Sequence, residues 1–69
     1  MSVAVAVGYE FASSHDQTWG GFCQRLEEAQ QECQAVTDDA FHWALVDEGM
    51  WAARDSTSGA LYQIECRPL

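Results

Sequence analysis

Trp19, Phe22, Cys23, Leu26, Ala29, Cys33 and Val36 recur at steps of three and four residues. That spacing puts them on one side of a helix, with Gln24, Arg25, Glu27, Glu28, Gln31, Glu32 and Gln34 on the wet remainder. It is the only long helical pattern in the chain, and all else reads as strand or turn. The apolar strands need this stripe as a cover, and the stripe needs them. Gly20-Gly21 sits badly in a helix, at roughly 1 kcal/mol per glycine relative to alanine. The regular helix is therefore expected to start at Gly21 or Phe22 and to end near Ala35, with Trp19 packing from the turn before it. Ser14 or Asp16 is the expected cap.

The rest follows a two-residue period. Val3, Val5, Val7, Tyr9 and Phe11 alternate with small or polar residues and predict a strand over roughly residues 2–11. Phe41, Trp43 and Leu45 predict a second strand, ending near Glu48. Met50 to Asp55 forms a third after the Glu48-Gly49 turn. Ala60 to Arg67 forms a fourth after the Ser56–Gly59 turn, with pairing expected to stop at Pro68. Short turns make the last three strands an antiparallel meander. The expected fold is one α+β domain over residues 1–69: one amphipathic helix packed on a four-stranded, mainly antiparallel sheet, in the order β-α-β-β-β. The open face of that sheet would carry Glu10, His42, Ala44, Val46, Glu48, Ala52, Arg54, Gln63 and Glu65.

A chain of 69 residues builds one small core, burying only about 60% of the surface its unfolded form exposes. Charge is the strongest compositional signal. Eleven acids face three basic residues, Arg25, Arg54 and Arg67, for a net charge of −8 with no lysine. Phosphate contacts need clusters of Lys and Arg, so direct nucleic-acid binding is disfavoured, and so is an anionic membrane surface. Three cysteines at no framework spacing argue against a disulfide scaffold. With no basic segment before the short apolar run at Val3–Gly8, a cytoplasmic protein with reduced thiols is expected.

No catalytic motif emerges. His15, Cys23, Cys33, His42 and Cys66 form no C-x2-4-C or H-x3-5-H pair. Cys23 and Cys33 lie ten residues apart on the expected helix, about 15 Å along its axis, and so cannot share one zinc. No metal or cofactor is expected. There is no G-x-S-x-G elbow, and the carboxylate pairs Asp38-Asp39 and Asp47-Glu48 match no EF-hand loop. The chain does not read as an enzyme.

That leaves the acids as a surface. Glu27, Glu28 and Glu32 lie on the helix flank, Asp38 and Asp39 in the following loop, and Glu10, Asp47, Glu48, Asp55 and Glu65 on strands or their ends. A solvated, self-repelling coat is the ordinary role of such charge. The sharper role is a carboxylate array that fills an arginine- or lysine-lined groove built for phosphate. The expected partner-binding set is Glu10, Glu28, Glu32, Asp38, Asp39, Asp47, Glu48, Asp55 and Glu65; sheet and helix flank could both present it, with the open sheet face and its adjoining loops preferred.

Phe41-His42, Trp51 to Ala53, the turn glycine Gly59 and the late Cys66 resemble the pattern of small anti-CRISPR proteins of type I systems. The resemblance covers about the last 30 residues and the preceding helix. It implies a phage-type, non-enzymatic inhibitor that binds a Cas protein of the effector complex in the host cytoplasm; a monomer is the expected state. The acidity adds a mode, mimicry of DNA at the target or PAM site. The alternative is a small interaction or regulatory domain, antitoxin-like, that binds through its open sheet face or edge by apolar anchors such as Met50 or Leu61.

Overall fold

The computed structural model describes residues 6–38 and 40–69. They form five strands and one helix: β1 (Val7–Ser13), β2 (Gly20–Cys23), α1 (Leu26–Gln34), β3 (Ala44–Asp47), β4 (Met50–Arg54) and β5 (Leu61–Pro68). The strands make a single sheet in the order β2-β1-β5-β4-β3, and every neighbouring pair is antiparallel. The α+β class and the three-strand meander are as expected. The strand count and order are not: the chain runs β-β-α-β-β-β.

The difference arises at Gly20–Cys23, which pairs with β1 as a strand, so the helix is only nine residues long. Two glycines oppose helix here, and each of two glycines leaves room for a phenylalanine. A Cβ on Gly21 would stand 2.7 Å from the ring of Phe11, directly opposite on β1. A Cβ on Gly8 would collide with the ring of Phe22, which lies across the other face of the same two strands. Aromatic rings that cover cross-strand glycines shield backbone that has no side chain of its own. Phe22 therefore leaves the stripe for the open face, where it is 47% exposed.

Other boundaries shift for local reasons. β1 runs on to Ser13, and the expected strand residues Val3 and Val5 lie outside the described residues. Ser14 extends the ladder: its amide donates to the Leu61 carbonyl at 2.9 Å, and its Oγ accepts from the Leu61 amide at 2.8 Å. Asp16 caps the β1–β2 turn instead of the helix, accepting from the Thr18 amide at 3.0 Å and the Thr18 hydroxyl at 2.6 Å. Those bonds, the hydroxyl's first, hold its carboxyl below the ordinary value. Phe41 and Trp43 precede β3 without joining it. Pairing also passes Pro68, which sits opposite Val7. The Cys66 amide donates toward Gly49 and the Leu69 amide toward Ala6. By alternation, the nitrogen of Pro68 faces the side where β4 has already ended, so no ladder bond is lost.

The helix lies over β1, β2 and β5. Ala29 and Cys33 of α1 meet Phe11, Tyr62, Ile64 and Ala60, with Ile64, Ala29 and Cys33 fully buried. Aromatic rings extend this core along the sheet. Trp19 stands between Phe11 (centroids 5.2 Å apart) and Tyr62 (5.4 Å), and Phe41 continues the chain at 5.0 Å from Tyr62. Tyr9 and Trp51 form a second pair at 5.9 Å. Ring pairs of this kind add about 0.5–1.5 kcal/mol each beyond their area.

Gly21→Ala should destabilise the protein by about 1–3 kcal/mol in urea unfolding, because buried Phe11 must move off its place in the core. Gly8→Ala should cost less, since Phe22 can swing into solvent. Equal effects at the two sites would contradict the role given to Phe11.

Candidate interaction surface

Registers fix where the open-face acids stand. Asp47, Met50, Glu65, Glu10 and Phe22 are successive cross-strand partners, so they form one row across all five strands. At about 4.8 Å per strand, Glu10 and Asp47 end up roughly 14 Å apart. Glu48 occupies the adjoining turn, where its amide donates to the Asp47 carboxylate at 2.8 Å. Next to this row lies a bare one of Ala44, Ala52, Gln63, Ala12 and Gly20. The acids here are not free of counterions. Arg67 reaches Glu10 and Glu65 at 3.2 Å each, and Arg54, on the same face, donates to the Gly59 carbonyl at 3.1 Å. Four acids against two arginines leave this face at −2.

The helix side is more strongly charged. Glu27, Glu28 and Glu32 on α1 and Asp38 in the loop after it are exposed, with Arg25 at the start of the helix, for a net −3. Among the described residues, no ion pair involves any of these four acids. Glu28 and Glu32 are one turn apart and repel each other. Both push up the thiol pKa of Cys23, after the larger effect of burial. Counterions are thus scarcer along the helix flank than on the open sheet face. Asp39 lies outside the described residues.

Asp55 does not belong to either patch. It is only 6% exposed, and its carboxylate accepts from the Thr57 amide (2.9 Å), the Ser58 hydroxyl (3.1 Å) and the Thr37 hydroxyl (3.1 Å). Its backbone closes the β4–β5 turn with Ala60 and Gly59. Asp55 therefore staples the loop after α1 to that turn. The signal was legible in D-S-T-S-G, since Asp before Ser and Thr at a turn bonds its own backbone two residues on.

The cysteines are also placed differently. Cys23 is on β2 and Cys33 on α1, so a separation measured along one helix axis does not apply. All three cysteines are free thiols, and burial pushes that of Cys33 up to about 12. Among the described residues, no group of three His, Cys, Asp or Glu side chains is arranged to hold a metal ion. No described helix is long and apolar enough to cross a membrane.

Sequence reading missed a groove between α1 and the segment before β3, lined by Glu27, Gln30, Gln31, Gln34, Phe41 and Trp43. The F-x-W spacing reads as strand. The contrary signal is Gln34, whose side chain accepts the Phe41 amide at 3.0 Å and turns the segment toward the helix.

No family model matches the chain, and neither a curated protein nor a solved structure matches it.

Asp55→Ala should lower Tm by roughly 5 °C or more at neutral pH, because it strips several bonds from one turn. The carboxyl of Asp55 is held below its ordinary value, first by the Thr57 amide and against the effect of burial, with the Thr37 and Ser58 hydroxyls adding to the lowering. Its contribution is thus fully present above the unfolded value of about 3.9 and is lost as pH falls through the folded one. The Tm gap between wild type and Asp55→Ala should narrow below about pH 4. A gap independent of pH would show that the carboxylate charge is not what the turn uses.

Proposed function

We propose that this chain is a non-enzymatic inhibitor that sets an acidic surface against a cationic, DNA-binding surface of a protein partner and so keeps DNA away. The observation that carries this reading is the charge excess: eleven acids, three arginines and no lysine, with a helix flank whose carboxylates have no ion-pair partner among the described residues. Like charge left uncompensated on a small body costs stability, and a site lined by Arg and Lys would supply the missing counterions. Glu28 and Glu32 lead that surface, with Glu27 on the same helix and Asp38 in the loop after it. Glu10, Glu65, Asp47 and Glu48 form a weaker second patch. The resemblance to small anti-CRISPR proteins narrows the partner to a Cas protein of a type I effector complex, and the blocked step to target or PAM binding.

A second reading has its own support. Among the described residues β3 pairs only with β4, and its Leu45 and Val46 are 65% and 55% exposed. An open, apolar edge of this kind accepts an added strand. Such a regulatory or antitoxin-like interaction would depend little on salt, whereas the acidic-surface reading requires strong salt dependence.

The test is competition for DNA on purified type I effector complexes. Wild-type protein should block loading of target duplex, less well as salt rises. Glu28→Lys with Glu32→Lys should lose at least about tenfold in potency. Glu10→Lys with Glu65→Lys should lose less. Unchanged potency in a folded Glu28→Lys/Glu32→Lys variant would overturn the acidic-flank reading.

A further inference from the structure

We infer that the groove between α1 and residues 41–43 receives the side chain of an arginine from the partner. This deepens the reading of a basic partner and rests on it. The groove holds about 290 Å³ and is built as well as open. The Gln34 side chain fixes Phe41 against the helix through the Phe41 amide, and Phe41 is braced from below by Tyr62 at 5.0 Å. Trp43 stands at 83° to Phe41, with centroids 5.6 Å apart. Both rings are half-buried, so each keeps surface turned to the groove.

Two rings at a right angle offer π-faces to a flat cation, and tryptophan is the strongest such acceptor. Glu27 supplies the opposite wall. It is exposed and, among the described residues, takes part in no ion pair. A guanidinium stacked on Trp43 would present its N–H groups to the Glu27 carboxylate and to the side-chain carbonyl oxygens of Gln30 and Gln31. That need for several donors in one plane, together with stacking, selects arginine over lysine. The occupant follows from charge complementarity: an acidic, aromatic groove on a body of net charge −8 suits a delocalised, weakly hydrated cation.

The test uses the full chain labelled with ¹⁵N and two blocked peptides, acetyl-Gly-Arg-Gly-amide and its citrulline counterpart, which keeps the shape and loses the charge. The arginine peptide should shift the Trp43 indole N–H and the amides of Glu27 and Gln31. The citrulline peptide should bind at least about fivefold more weakly. Glu27→Gln should weaken the arginine peptide about threefold while lowering Tm by only a few degrees, as the first turn of α1 loses a favourable charge. Equal binding of both peptides, no loss in Glu27→Gln, or no binding would overturn the assignment. Shifts confined to Glu28 and Glu32, or to Glu10 and Glu65, would overturn it too, yet leave the acidic-surface reading standing. Groove binding as described, in a protein whose Glu28→Lys/Glu32→Lys variant still blocks DNA, would support the groove and place the failure in the proposed function alone.

Discussion

The contact on which most of this fold depends is the pairing of β1 with β5, with Phe11 opposite Ile64 at its centre. These are the longest strands, and they carry the sheet between its two outer parts. Above them sit the fully buried Ala29 and Cys33, the only two helix residues that reach the core completely. Full burial of Ile64 is worth about 1.5–3 kcal/mol, a large share of the margin available to a small domain. The aromatic chain from Phe11 through Trp19 and Tyr62 to Phe41 then spreads packing along the sheet where so short a helix does not reach.

Against that small core stands the charge. The helix has acids in both halves: Glu27 and Glu28 in the first turn suit its dipole, whereas Glu32 near the other end opposes it and also faces Glu28. No basic residue occupies the last turn. A sequence shaped for stability alone would place Lys or Arg there. The conflict between local rule and observed residue falls on the surface to which we assign partner binding, where such conflicts concentrate.

Period-two alternation located β4 and β5 almost to the residue, because Trp51, Tyr62 and Ile64 have to face one core. The helix was legible only in its second half. From Leu26 on, its buried positions are those of the stripe, but Trp19, Phe22 and Cys23 fit the same spacing while lying in a turn and a strand. Periodicity does not record that Phe11 needs a glycine opposite it, nor that Phe22 needs Gly8; those are contacts between strands. The acidic surface was legible as a quantity, since net charge is additive. Its distribution was not, because Arg67 reaches Glu10 from 57 residues away in sequence and Asp55 turns inward to hold its own loop.

On the acidic flank it is Glu32 that is held at a cost to folding. Thermal unfolding of Glu32→Gln against wild type, at low and at high salt, tests it most directly. The variant should be the more stable at low salt, by about 0.5 kcal/mol or a Tm gain of roughly 2–4 °C, as Glu28 and the helix end lose a repelling charge. The gain should vanish at high salt, where that repulsion is screened. A variant no more stable than wild type at low salt, or a gain unaffected by salt, would contradict it.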